Sequence, residues 1–247
     1  MFRDVIGEWP KNERFILTSC DEVYFNEYFP RFYKTYSELW QLPIHVHIID
    51  PTKNSKHRLE QLPVSYTYCN TDKSVLKFPY SYEVYYQAQR FILLGHNLLE
   101  GQSIIVADVD SYALRRPSED QRQLALSDMA FTKFQPLFKL GKRRKKPRLM
   151  ATFCNFHYSK RSQAKVSAIM MQELIENTDR IGVDQLVLTE IFQNLPFNNL
   201  KHGEWIRHYD VKQEWQKKEH DKCLIYHEKG SRGKDKGIKI EWTDIGL

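Results

Sequence analysis

The clearest indication of the fold in this sequence is the segment Ser103-Ile104-Ile105-Val106-Ala107-Asp108-Val109-Asp110-Ser111. Its apolar half is typical of a buried strand in a parallel sheet, and two carboxylates end that half abruptly. Open α/β sheets bind their ligands beyond the carboxyl ends of the strands. The segment therefore predicts a central strand with a functional site at its end.

The triplet Asp108-Val109-Asp110 predicts a site for a divalent cation. Residues i and i+2 of a strand face the same side and lie roughly 6.5 Å apart along the chain, so both carboxylates can reach one ion. Such oxygen ligands suit Mg²⁺ and Mn²⁺. A solvated junction between a strand and a turn, where Asp is common, is the alternative interpretation.

Segments with the patterns of strands and helices alternate along the rest of the chain. We predict further strands at residues 14–19, 44–49, 64–68, 130–134, 149–156 and 223–227. We predict helices at residues 22–40, 82–99, 160–177 and 183–193, a short helix after a capping box at Ser118 and Gln121, and a polar loop between residues 49 and 64. This alternation predicts an α/β fold, Rossmann-like, with a mixed but mainly parallel central sheet flanked by helices.

Length and composition narrow the class of protein. A chain of 247 residues suits a single domain, here residues 1–247. The net charge of +6 favours anionic partners, such as nucleotide phosphates, nucleic acid or an anionic membrane surface. The four cysteines form no CxxC pair, which argues against a zinc site and a disulfide framework. We expect a cytoplasmic protein, because neither a secretory signal nor a transmembrane segment is visible.

A glycine- and lysine-rich segment at residues 226–237 follows the last predicted strand. Glycines let the backbone approach a phosphate closely, and lysines supply charge for it. His227 at the strand end is a candidate third metal ligand, because imidazole suits Mn²⁺ better than Mg²⁺. A basic surface loop near the C-terminus is the alternative.

Taken in order, these motifs resemble a GT-A fold glycosyltransferase. The resemblance covers roughly residues 14–237 and is strongest to the retaining, glycogenin-like and galactosyltransferase-like group. It rests on Thr18-Ser19-Cys20-Asp21 at a strand end, Arg90 on a helix, the strand Ile104 to Asp110, the pair Asp184-Gln185, and His227-Glu228-Lys229-Gly230 with Lys234.

The resemblance implies a hexosyltransferase that needs a metal ion. Asp108, Asp110 and His227 would hold Mn²⁺, or Mg²⁺ in its place, and the ion would neutralise charge on the departing nucleotide diphosphate. The implied donor is a nucleotide sugar, UDP-linked in the group that this chain resembles, and the acceptor would be a glycan, a protein or DNA. Transfer would retain the anomeric configuration.

The resemblance also implies roles around the donor. Thr18 and Asp50 would lie at the nucleoside, Asp108 at the ribose as well as the metal, Arg90 at a carboxylate or the donor, and Gly230 and Lys234 over the diphosphate. Asp184 would contact the sugar or the acceptor, and Gln185 would lie near the anomeric carbon. Each role has a structural alternative: Thr18 can cap a turn, Arg90 can be a surface cation, and Asp184 can cap a helix.

Residues 139–148 form a basic loop beside several phenylalanines, a pattern that favours binding to phosphate backbones and stacking on bases. It is compatible with glycosylation of modified DNA, with a charged glycan acceptor or with peripheral contact to an anionic surface. A solvated loop is the plain alternative. Two other functions stay open: a nucleotidyltransferase that uses the same Asp pair, and a nucleic-acid-binding protein that uses this loop.

Overall fold

A computed structural model of the chain describes residues 5–71, 74, 81–134, 148–177, 182–201, 204–208, 223–227 and 239–247. Its strands are β1 (Ile6–Gly7), β2 (Arg14–Asp21), β3 (Ile44–Ile49), β4 (Ser65–Cys69), β5 (Ser103–Ala107), β6 (Ser111–Ala113), β7 (Ala130–Phe134), β8 (Arg148–His157), β9 (Asn198–Asn199), β10 (Ile206–His208) and β11 (Ile225–His227). Its α-helices are α1 (Glu22–Leu39), α2 (Lys53–Gln61), α3 (Ser81–Asn97), α4 (Glu119–Leu126), α5 (Arg161–Asn177) and α6 (Val183–Phe192).

The central sheet has the strand order β1-β4-β3-β2-β5-β8-β7-β9. Strands β4, β3, β2 and β5 run parallel to one another, whereas β1 pairs antiparallel with β4, and β8 pairs antiparallel with both β5 and β7. This architecture confirms the predicted α/β fold with a mixed, mainly parallel sheet flanked by helices. The prediction of one domain over residues 1–247 stays a prediction.

Helices cover both faces of this sheet. Alternate residues of β2 point to opposite sides, so Phe15 and Leu17 join a core cluster with α3, α5 and α6, while Ile16 and Cys20 join one with α1 and α2. All four of these side chains are buried. The parallel strands are therefore covered on both sides, which explains their nearly continuous apolar sequences.

A second sheet of three strands, in the order β10-β11-β6, continues from the end of β5. Strand β6 begins directly after Asp110, and β11 pairs antiparallel with it so that His227 lies opposite Ser111. This register brings the last predicted strand, with its histidine, to the carboxylates that end β5.

The predicted polar loop between residues 49 and 64 is wrong, because helix α2 lies there. Thr52 caps this helix, and its side chain accepts a hydrogen bond from the Ser55 backbone N–H. Only Ser55 and Leu59 of the helix are buried. The segment therefore lacks the apolar face by which a helix is recognised in a sequence.

The capping box predicted at Ser118 and Gln121 is confirmed, with both reciprocal hydrogen bonds formed at the start of α4.

In the described part of the chain, no helix has the length and apolar character needed to cross a membrane.

Candidate metal centre

The candidate site lies where the connections of the central sheet change direction. From β2 the chain passes through α1 to β3 on one side, whereas β5 lies on the other side of β2. Such a switch point opens a crevice at the carboxyl ends of the two neighbouring strands, and ligands bind there in open α/β sheets. Asp21 ends β2, and Asp108 directly follows β5.

Asp108, Asp110 and His227 come together at this crevice. The His227 Nε2 atom lies 3.2 Å from Asp108 Oδ2 and 3.1 Å from Asp110 Oδ1. One ligand atom from each of the three residues lies within 4.8 Å of the other two. In an octahedral site with bonds of about 2.1 Å, neighbouring ligand atoms are about 3 Å apart.

The donor set fits a hard or borderline divalent cation. Two carboxylate oxygens and one imidazole nitrogen suit Mn²⁺, and Mg²⁺ less well because of the nitrogen. Three protein ligands leave coordination positions for water or for the oxygens of a phosphate. The residues present therefore fit the metal site that the sequence predicts.

A tight turn places Asp110 beside His227. The Asp108 carbonyl accepts hydrogen bonds from the Ser111 backbone N–H at 3.0 Å and from Ser111 Oγ at 2.6 Å. The Asp108 N–H donates to the Thr152 carbonyl of β8 at 2.9 Å. Ser111 Oγ is also 3.0 Å from Tyr36 Oη of α1. Bonds from three elements thus fix the backbone between the two carboxylates.

Arg90 of α3 is a buried cation beneath the centre. Its Nη2 pairs closely with Asp108 Oδ1, and it lies 3.5 Å from Asp184 Oδ2. The same nitrogen is 3.4 Å from the Ala151 carbonyl. Since the Arg90 side chain is only 5% exposed, the alternative of an ordinary surface cation is excluded. The carboxylates that Arg90 contacts belong to the protein itself, and a contact between Arg90 and the donor stays a prediction.

Burial and charge shift the pKa values of these groups in opposite directions. Burial would raise the pKa of Asp108, but Arg90 and His227 hold it well below its usual range. Burial would lower the pKa of His227, but the Asp110 and Asp108 carboxylates raise it to about 10. The imidazole is therefore protonated in the metal-free protein near neutral pH, and metal binding must release that proton.

Asp184 lies in the first turn of α6, after Gly182 at a φ of 82°. One of its carboxylate oxygens accepts the Gln185 backbone N–H at 2.7 Å, and the other faces Arg90. Burial raises the pKa of Asp184 to about 6, although the Arg90 charge opposes the shift. Gln185 is half-buried in the same turn. Asp184 is thus joined to the metal centre through Arg90.

Asp50 directly follows β3, whereas Thr18 lies within β2, three residues before its last residue. Thr18 is fully buried, and its Oγ1 has no hydrogen-bond partner among the residues that the structure describes. Asp21, and not Thr18, caps α1 by accepting the Tyr24 N–H at 2.8 Å. Asp50 adopts a φ of 54°, which is rare for a residue with a side chain, and its Oδ1 accepts the Thr71 N–H at 2.6 Å.

The sequence interpretation missed Tyr24 and Thr152. Tyr24 is half-buried in the first turn of α1, where burial and the nearby Asp110 and Asp21 carboxylates raise its pKa to about 12. Its position just after the end of β2 could have identified it. A hydrogen bond from the Thr152 side chain helps to lower the pKa of Asp108. No local pattern indicates that contact, because it depends on how β8 pairs with β5.

Parts of the sequence prediction lie outside the described residues. Gly230 and Lys234 belong to residues 228–238, and the basic loop is described only at Arg148, where β8 begins.

No protein-family model matches the chain, and no curated protein is significantly similar to it.

Proposed function

We propose that the protein is a metal-dependent glycosyltransferase of the GT-A type, which transfers a hexose from a nucleotide-diphosphate sugar. The proposed donor is a UDP-sugar, and the acceptor is a glycan, a protein or DNA. The observation that carries the proposal is the meeting of Asp108, Asp110 and His227 at the switch point of a mainly parallel sheet.

The metal centre supports a role for a diphosphate leaving group. When bound, Mn²⁺ or Mg²⁺ would offset the negative charge that develops on a departing nucleoside diphosphate. Asp108, Asp110 and His227 would hold the ion. Arg90 would keep Asp108 in place, because it pairs with Asp108 Oδ1 while Oδ2 faces His227.

The ends of β2 and β3 support binding of the nucleoside half of the donor. Thr18 and Ser19 lie in the second half of β2, on opposite faces of the sheet, and both have buried hydroxyl oxygens that lack partners among the described residues. Buried polar groups usually have partners, so a bound molecule or water is expected to supply them. The carboxylate of Asp50 suits a ribose hydroxyl or a base, and the ring of Tyr24 suits stacking.

Asp184 and Gln185 are the proposed residues for the hexose. Asp184 is buried beside Arg90 and largely ionised at neutral pH, given its pKa of about 6. A carboxylate held in this way can accept hydrogen bonds from sugar hydroxyls and fix the orientation of the sugar. Retention of the anomeric configuration is part of the proposal and would be read from the product anomer by NMR.

A nucleotidyltransferase would use a similar Asp pair with metal, so its products must separate the two functions. A glycosyltransferase releases UDP from a UDP-sugar, whereas a nucleotidyltransferase releases pyrophosphate from a nucleoside triphosphate. A nucleic-acid-binding role would rest on residues 139–148, of which the structure describes only Arg148.

The test is slow hydrolysis of a panel of UDP-sugars by purified protein with Mn²⁺, with UDP and pyrophosphate measured as products. We expect UDP release that is lost in Asp110→Asn. The matched control is Asp120→Asn, the same change at an exposed carboxylate of α4. Pyrophosphate release from a nucleoside triphosphate, without UDP release from any UDP-sugar, would refute the proposal in favour of nucleotidyl transfer.

A further inference from the structure

The first turn of α1 presents different residues to its two sides. Tyr24 and Tyr28 are one helical turn apart with ring centroids at 5.0 Å. Tyr24 comes three residues after Asp21, which ends β2, and the neighbouring strand β5 leads directly into Asp108 and Asp110. In agreement with this placement, burial and the Asp110 charge both raise the pKa of Tyr24. Glu22 and Asn26 are also one turn apart and occupy a different side of the helix. This second side contacts α2 and the C-terminal residues.

Glu22 joins α1 to the start of α2. Its carboxylate accepts hydrogen bonds from Ser55 Oγ at 2.6 Å, Thr52 Oγ1 at 2.9 Å, the Thr52 N–H at 3.1 Å and Asn26 Nδ2 at 2.9 Å. Thr52 comes two residues after Asp50. Glu22 therefore ties the segment that follows β2 to the segment that follows β3.

Asn26 extends this network to the C-terminal residues. Its Oδ1 accepts a hydrogen bond from Arg58 Nη1 at 2.6 Å, and its backbone carbonyl accepts one from Trp242 Nε1 at 3.3 Å. The Arg58 guanidinium lies 4.5 Å from the centroid of the Trp242 ring, and that ring is 4.9 Å from the ring of Phe25. Trp242 thus packs against the outside of α1 and is covered by a cation from α2.

We propose that Glu22, Asn26, Arg58 and Trp242 form a clasp that positions Asp21 and Tyr24 beside the metal centre. Asp21 and Tyr24 would form one wall of the site, and the role of this wall in holding the nucleoside of the donor rests on the proposed function. The first turn of a helix has backbone groups without partners inside the helix and is prone to fray. The clasp holds this turn from outside, by contacts with two segments that are distant in the sequence.

The clasp acts on one side of the site only. The metal ligands are fixed by the turn after β5 and by the pairing of β11 with β6, neither of which contains a member of the clasp. A wall that is already ordered lowers the entropy cost of binding a nucleotide. Loss of the clasp should therefore weaken nucleotide binding and leave metal binding nearly unchanged.

The experiment compares Trp242→Ala, Trp242→Phe and Arg58→Gln with the wild type. Trp242→Phe keeps an aromatic ring for Arg58 to contact but loses the hydrogen bond to the Asn26 carbonyl. Arg58 is half-buried on the surface of α2, so the Arg58→Gln protein should fold. Ile175→Ala is the control for general destabilisation, because Ile175 is fully buried in the core on the other face of the sheet. The measurements are calorimetric Kd values for Mn²⁺ and for UDP with Mn²⁺, and hydrogen exchange of the Tyr24 amide, whose acceptor is Asp21.

We expect a UDP Kd about 10-fold weaker in Trp242→Ala, smaller losses in the other two clasp variants, and Mn²⁺ Kd values within about 2-fold of the wild type. Exchange of the Tyr24 amide should become faster in the clasp variants and not in Ile175→Ala. If the Tyr24 amide exchanged at the wild-type rate in both Trp242→Ala and Arg58→Gln, the proposed clasp would be overturned. If the wild type binds no UDP but exchange of the Tyr24 amide is still faster in the clasp variants, the clasp is supported and the proposed UDP-sugar donor is refuted.

Discussion

The guanidinium of Arg90 pairs directly with the carboxylate of Asp108 in the interior, on the side away from His227. Asp184 lies on the same guanidinium nitrogen, 3.5 Å away, so one buried cation serves two buried carboxylates. This arrangement joins α3, the end of β5 and the start of α6 at the point where the candidate metal centre forms.

Removing the Arg90 charge should strongly destabilise the protein. Arg90→Met would leave Asp108 and Asp184 without their buried partner, and breaking such a pair costs about 3–5 kcal/mol. Urea denaturation would measure the loss, with Arg116→Met, an exposed arginine after β6, as the matched control. A loss as small as that of the control would show that the pair does not hold these elements together.

Two buried histidines of β3 should make the protein sensitive to acid. Burial lowers the pKa values of His45 and His47 to about 3. In the unfolded chain they would titrate near 6.5, so the folded state binds fewer protons between these values. The contribution of these neutral histidines to the free energy of unfolding should thus be fully present above about pH 6.5. It should be lost as the pH falls toward 3, by up to about 1.4 kcal/mol per pH unit for each histidine.

The free energy of unfolding measured against pH tests this dependence. His47→Gln should flatten the curve between pH 6.5 and pH 3, whereas His57→Gln, on the exposed side of α2, should leave it unchanged. Equal slopes in His47→Gln and the wild type would mean that other groups cause the acid sensitivity.

A buried hydrogen-bonded chain passes through both histidines. His45 Nδ1 is 3.0 Å from Ser65 Oγ, and His45 Nε2 is 3.1 Å from Thr67 Oγ1. His47 Nδ1 is 2.9 Å from the same Thr67 oxygen, and His47 Nε2 is 3.3 Å from Cys69 Sγ. With a single hydroxyl proton, Thr67 can donate to one histidine while it accepts from the other.

Thr67→Val should break this chain. Each imidazole nitrogen left without a partner costs about 1–3 kcal/mol, which thermal or urea unfolding would detect. Thr132→Val is a matched control, because the buried Thr132 hydroxyl has no partner in the part of the chain that the structure describes. Similar stabilities for the two variants would contradict the role given to Thr67.

Gly95 should be essential for the packing of α3 against α5. A Cβ atom at this position would lie 2.6 Å from the Ala168 Cβ and still closer to the Ala164 carbonyl. Gly95→Ala would therefore push the helices apart and cost about 1–3 kcal/mol from overpacking, although Ala favours helix by up to about 1 kcal/mol. An unchanged or raised melting temperature would show that α5 can move aside without cost.

The sequence predicts the elements whose signals are local. The apolar runs of β2, β3 and β5 and the carboxylates that follow β5 identify a buried sheet with a site at one edge. The meeting of His227 with Asp110 is also predicted, although 117 residues separate them, because both were expected at strand ends.

Features that depend on pairing or on side-chain networks are not visible in the sequence. Helix α2 has a polar sequence. Its start is fixed by the cap residue Thr52, which also donates a hydrogen bond to the carboxylate of Glu22 in α1. The sharing of Arg90 between Asp108 and Asp184 joins three distant segments, and neither partner follows from local spacing. The packing of Trp242 on α1 likewise depends on the folded protein.

Calorimetric titration of UDP in the presence of Mn²⁺ shows whether Asp108, Asp110 and His227 hold a metal that binds the nucleotide, when the wild type, Asp110→Asn and the control Asp120→Asn are compared. We expect the wild type and the control to bind UDP and to lose that binding when EDTA is added. We expect affinity to fall at least about 100-fold in Asp110→Asn, since even residues that only support metal ligands contribute 10–100-fold to affinity. UDP binding that persists undiminished after chelation and in Asp110→Asn would rule out the metal-dependent nucleotide site.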